Sequence, residues 1–498
     1  MKEVEWNEKT NETNETNETI GKPAKKERRM LLLYTLLSAV GLVWLVFPGV
    51  TGIGMVLFGI LQFVLLFLLA PKRKALWMFA PIFLILSNYL FSANLIWRLT
   101  NPLVLLCLFS AMYLQMTGQF PFWKPSMEWL GNLVSYLFVP LRYILLPFRW
   151  LAQKDAVQKK VLIRVLLGLA LALPCVCLLA AVLSSADAIF YRSMNEIFDQ
   201  FSGWLTFGNV IRWLAGILGG SYLFCLLYAA RISEKLPSSG KQANFRADLL
   251  ILNLFLGAVL AVYTLFVFIQ FKYLFAQAAL PFGLTYSAYA RKGFFELLFL
   301  SGVNILLILL AVRFGREKEG AGKRIMQSLC CYLCAVTLVL LASAFYRMWL
   351  YCDDDGLTRL RFLVFGFLIF ESLGLLCTFG YIFRPTFHMV SVYLVIGLTY
   401  YVLLNIVPMD YIIAKNQIDR YLFGNGQGIA YTLTLSDDAA PQIKRLLSSP
   451  TASDEVKAKA EEYFQQVQDR SQVLEKHWQW FQVSTYRAEQ IRRVLHEK

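Results

Sequence analysis

Residues 249–268 read LLILNLFLGAVLAVYTLFVF, twenty residues without a charged side chain. A helix of about 20 apolar residues crosses the roughly 30 Å hydrocarbon layer of a bilayer. Similar runs recur along the 498-residue chain, of which 57% is hydrophobic and only 16% is charged. Soluble domains carry about a quarter charged residues, so this composition excludes an ordinary soluble enzyme, a disordered chain and a fibrous repeat. The sequence predicts an all-α, polytopic transmembrane helical bundle.

Apolar runs of this kind predict eleven transmembrane helices. They cover residues 30–47, 51–70, 76–97, 101–117, 161–184, 209–230, 249–274, 294–313, 326–350, 360–383 and 387–407. Between residues 30 and 408 the chain carries 29 Lys and Arg residues, and 20 of them fall in loops on the side of the N-terminus. Because loops rich in Lys and Arg stay in the cytosol, this bias predicts a multi-pass protein with a cytosolic N-terminus and an extracytoplasmic C-terminus.

Polar and apolar stretches divide the chain into five regions. They are a disordered cytosolic N-terminal tail at 1–29, a four-span hydrophobic region at 30–125, an interfacial amphipathic segment at 126–160, a seven-span core at 161–408 and an extracytoplasmic helical tail at 409–498. In the last region, Ser436 and Ser453 each precede acidic residues, a pattern typical of a helix start. The expected architecture is therefore a membrane bundle with a small C-terminal helical appendage.

The segment 126–153 decides on which side of the membrane the C-terminus lies. It is apolar, but it contains Pro140, Pro147, two arginines and several Trp and Tyr residues. This combination favours helices that lie in the cytosolic headgroup layer. The alternative is that the segment crosses the bilayer. Every later loop would then change sides, and the bias of basic residues would be reversed.

The formal net charge of +15 does not indicate nucleic acid binding. Both ends of the chain are neutral, and the excess of basic residues lies between residues 30 and 408. A nucleic-acid binder instead gathers Lys, Arg and stacking aromatic residues on a soluble face. We therefore expect membrane lipids as partners, with an envelope or signalling protein as a further candidate, and no nucleic acid. The pattern leaves the oligomeric state open.

Motifs for nucleotides, metals and nucleophilic catalysis are missing from the sequence. The chain has no GxxxxGK[ST], HExxH or GxSxG pattern and no GxGxxG following a strand. Three of its nine cysteines, Cys330, Cys331 and Cys334, are close together on one predicted span, but a thiolate metal site needs about four ligands. We expect no cofactor and no metal. Whether the protein is an enzyme stays open, with a non-enzymatic role favoured.

Two polar residues lie at the midpoint of predicted spans. Glu371 lies halfway between Arg359 and Arg384, and Asn304 lies in the middle of its own span, so the two are expected at one depth and within hydrogen-bonding reach. Ionisable groups at lipid depth are costly and often functional, which suggests a proton or cation carrier. The alternative is a protonated carboxyl group that a neighbouring helix satisfies by hydrogen bonding.

A second group of candidate residues falls near predicted outer helix ends. The predicted ligand-binding or tail-docking cluster comprises Asp187, Lys272, Tyr286, Tyr289, Arg291, Glu296, Arg347 and Asp410. Mixed charges with tyrosines suit an anionic headgroup, or they hold the C-terminal tail. The alternative is that they are ordinary interfacial anchors, which helix ends normally carry.

Four stretches of the chain resemble a known family. They are LSSADAIF at 183–190, LTYSAYARKGFFE at 284–296, Asn405 to Pro408 followed by Ile413, Ala414 and Asn416, and WFQVSTYR at 480–487. Together they resemble an uncharacterised bacterial multi-pass membrane family, domain of unknown function four-one-seven-three, over residues 160–498. The resemblance implies a protein of the bacterial cytoplasmic membrane and no established activity. It makes the region 161–408 the core of the family and places its marked positions at the outer face, where Ser287 replaces an often acidic residue.

Three functions remain open from the sequence. The first is a non-enzymatic sensory or envelope-associated component, in which Arg291→Ala or Glu296→Ala changes the protease accessibility of the tail. The second is a secondary transporter or lipid translocator that uses Glu371 as its coupling acid. The third is a membrane-embedded transferase with Asp187 or Glu296 as the base, which needs a deep outer cleft.

Overall fold

The computed structural model describes most of the chain in separate ranges. They are residues 24–47, 51–116, 127–152, 206–232, 248–270, 294–315, 320–384, 388–424 and 429–496, with the single helical positions Gly168, Ala172 and Leu179. All regular structure in these ranges is helical. Nine of the described helices are long and apolar enough to cross a membrane, and Ile53–Leu69 is a shorter apolar helix. The predicted fold class, an all-α bundle of membrane type, is confirmed.

The α-helices are numbered here in chain order. They are α1 Lys25–Gly41, α2 Ile53–Leu69, α3 Phe79–Phe91, α4 Leu95–Met116, α5 Met127–Phe138, α6 Leu146–Ala152, α7 Phe207–Arg231, α8 Leu249–Gln270, α9 Phe294–Phe314, α10 Ala321–Asp355, α11 Arg359–Phe383, α12 Met389–Ile406, α13 Met409–Leu422, α14 Ile429–Thr432, α15 Ala440–Ser448, α16 Asp454–Glu475 and α17 Val483–His496. Ten of the eleven predicted spans overlap one of these helices. Of the remaining one, 161–184, the structure describes only the helical positions Gly168, Ala172 and Leu179.

The segment that decides the predicted topology forms short helices. It contains α5, the 3-10 helix Val139–Tyr143 and α6, and the two prolines lie where α5 gives way to the 3-10 helix and where α6 begins. Proline removes a backbone donor and interrupts a continuous helix. None of the three elements is among the nine candidate spans. The interfacial location of this segment stays a prediction.

Packing divides the chain into two compact units, and the first comprises residues 1–77, 109–119 and 133–236. In this unit α7 packs closely against α1 through small residues. A Cβ atom added at Gly220 would lie 2.8 Å from the backbone nitrogen of Ala39, and one at Gly216 would lie 3.1 Å from the backbone oxygen of Ala39 and collide with Val43 of the π-helix Leu42–Val46, which continues α1. Helices in lipid associate through such small residues four positions apart, because they let the backbones approach.

A chain of buried polar side chains also holds the first unit together. The Tyr34 hydroxyl donates to Gln62 Oε1 at 2.9 Å and lies 2.6 Å from the hydroxyl of Tyr113. The Gln62 amide donates in turn to Ser38 Oγ at 3.0 Å. These four side chains have almost no exposed surface. Polar groups buried among apolar helices need such partners, because an unpaired group there is costly.

The second unit comprises residues 78–108, 120–132 and 237–498. Its spanning helices α8, α9, α10 and α11 enclose an apolar core that includes Leu256, Ile308, Leu333 and Leu368. Near the end of α12, Asn405 connects to two further helices through its backbone oxygen and its side chain. Asn88 of α3 donates to the Asn405 backbone oxygen at 2.7 Å, and Asn101 of α4 donates to Asn405 Oδ1 at 2.9 Å.

The C-terminal helices α13 to α17 form a second apolar core in the same unit. Ile413, Ile443, Phe464 and Val467 are buried in it, and Trp97 belongs to the same cluster. Because Trp97 belongs to a spanning helix, the tail shares its core with the membrane bundle. The predicted cap at Ser453 is confirmed, since its hydroxyl accepts a hydrogen bond from the Val456 amide at the start of α16. Ser436 has a different role, described below.

Candidate functional site

An ion pair with a fully buried carboxylate in the second unit joins two helices at the same end of the bundle. Asp410 lies in the first turn of α13, directly after α12, and Arg359 is the first residue of α11. The Arg359 side chain donates from Nε to Asp410 Oδ1 at 2.8 Å and from Nη2 to Oδ2 at 2.6 Å. Two parallel bonds of this kind are the strongest arrangement available to an Arg–carboxylate pair. The pair therefore ties the start of the tail to a spanning helix.

Ser436 completes the environment of this acid from the tail side. Its backbone amide donates to Asp410 Oδ2 at 3.0 Å, and its hydroxyl donates to the same oxygen at 2.6 Å. The side chain of Asp410 has no exposed surface. Ser436 directly precedes the 3-10 helix Asp437–Ala439, but its side chain makes no cap hydrogen bond there. The hydroxyl expected to cap a helix therefore binds the acid instead.

Two neighbouring acids of the tail extend the network. Asp438 accepts from Ser92 Oγ at 2.6 Å, and Ser92 directly follows α3. The buried side chain of Asp437 accepts from Thr485 Oγ1 at 2.6 Å and from Arg470 Nη2 at 2.5 Å. We call the whole network the docking cluster. Its members are Ser92, Arg98, Arg359, Asp410, Ser436, Asp437, Asp438, Arg470, Gln482 and Thr485.

Arg98 extends this cluster to the last helix of the chain. It lies in the first turn of α4, and its Nη2 donates to Gln482 Oε1, one residue before α17. Gln482 and Thr485 belong to the closing motif WFQVSTYR, so two of its polar residues contact other members of the cluster. The cluster thus contains three carboxyl groups and three guanidinium groups. Opposite charges of this kind compensate one another where water is excluded.

Burial shifts the proton affinity of groups in the tail. Loss of hydration raises the pKa of Asp438 above its ordinary value, although hydrogen bonds to the carboxylate, including the one from Ser92, act in the opposite direction. Burial also raises the pKa of Tyr463 well above its ordinary value. The hydroxyl of Tyr463 donates to the Ser436 backbone oxygen at 2.9 Å. A neutral tyrosine suits this position, because it must remain a donor.

The structure describes three of the eight residues in the predicted outer cluster. Asp410 is in the docking cluster, Arg347 is buried in α10, and Glu296 is exposed in the first turn of α9. The other five lie outside the described ranges: Asp187, Lys272, Tyr286, Tyr289 and Arg291. Their convergence on one cavity stays a prediction. In the sequence, Arg359 serves only to mark a helix end. The structure shows that it is the partner of Asp410, which the sequence analysis did not predict.

The intramembrane pair is arranged differently from the expectation. Glu371 and Asn304 are both buried, but Glu371 Oε1 accepts from Ser301 Oγ at 2.7 Å, and Asn304 Nδ2 donates to Thr337 Oγ1 at 3.1 Å. The expected hydrogen bond between Glu371 and Asn304 is therefore wrong. Ser301 lies one turn before Asn304 on α9, and the shorter side chain faces the acid. Ser301 bonds only one oxygen of the carboxyl group, and the other, Oε2, is buried without a hydrogen-bond partner among the described residues, so both interpretations of Glu371 stay predictions.

These features define an all-α protein of membrane type with a helical tail docked on its spanning helices. A family model described as "Domain of unknown function (DUF4153)" matches residues 75–446, more than half of the chain. The chain belongs to the DUF4153 family. The family number expected from the sequence motifs, four-one-seven-three, is wrong, although the class of an uncharacterised family is right. No curated protein and no solved structure matches the chain. The matched range includes Arg359, Asp410 and Ser436.

The raised pKa of Asp438 predicts a pH dependence of stability. Between its ordinary and its raised pKa, the folded protein binds more protons than the unfolded chain, so stability falls as the pH rises through that window. We expect Asp438→Asn to remove this part of the fall. Relative to wild type, the variant should become more stable as the pH increases.

The measurement is the thermal unfolding midpoint of the full-length protein in detergent from about pH 4 to pH 7. Asp469→Asn changes an exposed acid of α16 and serves as the matched control. A constant difference between Asp438→Asn and wild type across this range would contradict the prediction.

Proposed function

We propose that this protein is a non-enzymatic sensory or envelope-associated component of the bacterial cytoplasmic membrane. In this proposal the C-terminal helical tail is the part that meets an external partner, and the docking cluster holds it in a fixed register on the spanning helices. The observation that carries the proposal is the fully buried Asp410, bound by Arg359 of a spanning helix and by Ser436 of the tail. A partner that binds the tail would therefore act on α11 and α12 together.

The hydrogen bonding of the Asp410 carboxylate within the protein supports a structural role over a catalytic one. A general base needs a position within about 3 Å of a substrate proton. Both oxygens of Asp410 instead accept bonds from protein groups, and its side chain has no exposed surface. Removing one partner of a buried ion pair costs about 3 to 5 kcal/mol, because the other charge is left uncompensated. The cluster is therefore suited to holding a tail in place.

The first test of this proposal is the protease accessibility of the tail. Asp410→Asn removes the charge that Arg359 compensates, while the shape of the side chain is nearly kept. We expect cleavage within α16 and α17 to become faster by on the order of a hundredfold, which corresponds to about 3 kcal/mol of lost docking free energy. Limited proteolysis of the full-length protein in membranes, followed by mass spectrometry of the fragments, measures this rate.

Asp419→Asn is the matched control for this experiment. Asp419 lies on the same helix α13 and pairs with Arg445, but both side chains are partly exposed, at 32% and 40%. Exposed pairs contribute at most about 1 kcal/mol, so this variant should resemble wild type. Equal cleavage rates in wild type and Asp410→Asn, or equal acceleration in both variants, would argue against a docking role.

The second test concerns the side of the membrane on which the tail lies. Ala458 is exposed on α16, and Lys72 is exposed in a loop predicted to be cytosolic. In intact cells, a membrane-impermeant maleimide should label Ala458→Cys, whereas Lys72→Cys should react only after permeabilisation. Wild type measures the background from the nine native cysteines. Labelling with the opposite pattern would place the tail in the cytosol and would show that the topology is reversed.

A further inference from the structure

A groove opens beside the docking cluster, where α9, α10 and α11 meet. Its volume is about 190 Å³, and its walls are predominantly apolar. The lining residues are Phe294, Phe295, Met348, Tyr351, Thr358, Leu360, Arg361 and Val364. Phe295 and Leu360 are 56% and 61% exposed, so the groove is open to the surroundings of the bundle. Pockets for compact small molecules measure about 300 Å³ or more, so this space suits a single narrow chain.

Arg361 places a fixed positive charge in this groove. Its guanidinium carbon lies 3.7 Å from the centre of the Tyr351 ring, and the side chain is only 11% exposed. It donates to the backbone oxygen of Gly356 and, at 3.0 Å, to Asp355 Oδ2. A guanidinium has five N–H donors, so these two bonds leave donors for a further acceptor. Asp355 is 48% exposed, and water therefore weakens its compensation of the charge.

The groove combines the charge of Arg361 with apolar walls, and both lie near the ends of the spanning helices. Arg361 lies in the first turn of α11, and Tyr351 lies in the last turns of α10, so both occupy the ends of spanning helices. Tyr and Arg at such ends lie at the height of the lipid headgroups. Val364 follows one turn further along α11, in the direction of the hydrocarbon layer. Met348 likewise lies one turn before Tyr351, so the groove carries its charge at the helix ends and continues along Met348 and Val364 away from them, while Phe294, Phe295 and Leu360 flank the level of Arg361.

We propose that this groove binds an anionic phospholipid, with its phosphate on Arg361 and one acyl chain along Phe294, Met348 and Val364. Charge complementarity identifies the occupant, because a phospholipid presents an anion and a narrow apolar chain in the same order as the groove. Arg and phosphate form bidentate, charge-assisted hydrogen bonds. This inference goes beyond the proposed function and does not depend on the tail having an external partner. The groove nevertheless adjoins the docking cluster, because Arg359 lies two residues before Arg361.

Photo-crosslinking of the full-length protein in detergent tests the site. The probe is a phosphatidylglycerol with a diazirine in one acyl chain, and a phosphatidylcholine with the same chain is the zwitterionic comparison. We expect the phosphatidylglycerol probe to label peptides with Phe294, Phe295 or Met348. The phosphatidylcholine probe should label them about fivefold less, the factor expected from one basic residue near an anionic headgroup.

Two variants and two controls make the result specific. The variant Val364→Trp fills the groove and leaves Arg361 in place, whereas Arg361→Gln removes the positive charge. Each variant should lower the labelling of these peptides at least about fivefold. Ile369→Trp changes an exposed apolar residue of the same helix, and Arg384→Gln removes a charge at its other end. Both controls should label like wild type. Should Arg361→Gln fail to fold, Val364→Trp and the two probes still decide the question.

Three outcomes would overturn the proposal. The first is undiminished labelling of the groove peptides in Val364→Trp. The second is equal labelling by the two probes, which would remove the role of the anionic headgroup. The third is displacement of the phosphatidylglycerol probe by inorganic phosphate, which would identify a free anion as the ligand. Labelling that resists inorganic phosphate and is lost in Val364→Trp supports the lipid.

Discussion

The second unit depends above all on the buried carboxylate of Asp410. A charge without exposed surface must be compensated, since an uncompensated one in the interior costs several kcal/mol. Arg359 and Ser436 supply this compensation, one from a spanning helix and one from the tail. Satisfying a single acid therefore fixes the positions of three segments of the chain. The shared apolar core, in which Trp97 packs with the helices of the tail, stabilises the same arrangement.

Hydropathy alone predicts most of the fold. In lipid, every backbone donor and acceptor must be hydrogen-bonded within the protein. A long apolar run such as 249–268 meets this requirement by forming a helix. Local chemistry also predicts the start of α16, because Ser453 needs only the amide of Val456, three residues away. The hydrogen-bond partners of Glu371 and Asn304 cannot be predicted in this way, since the rotation of α9 decides whether Ser301 or Asn304 faces the acid.

The docking cluster is harder to predict because its bonds join distant residues. The sequence around Ser436 predicts a helix cap. Only the folded chain brings its hydroxyl to Asp410, which lies 26 positions earlier. A usable signal nevertheless exists. Arg359 and Asp410 lie at predicted ends of neighbouring spans on the same side of the membrane, and opposite charges at one level are natural partners. Combining topology with charge identifies this pair, whereas hydropathy alone treats both residues as ordinary helix ends.

The most direct measurement of this account is a double-mutant cycle between Arg359 and Asp410. It requires the free energy of unfolding, in detergent, of wild type, Arg359→Gln, Asp410→Asn and the double variant. If the pair holds the tail on the spanning helices, the two substitutions are strongly non-additive, with a coupling free energy of about 2 to 3 kcal/mol. A coupling close to zero would show that the tail is held by other contacts and would contradict the central role of Asp410.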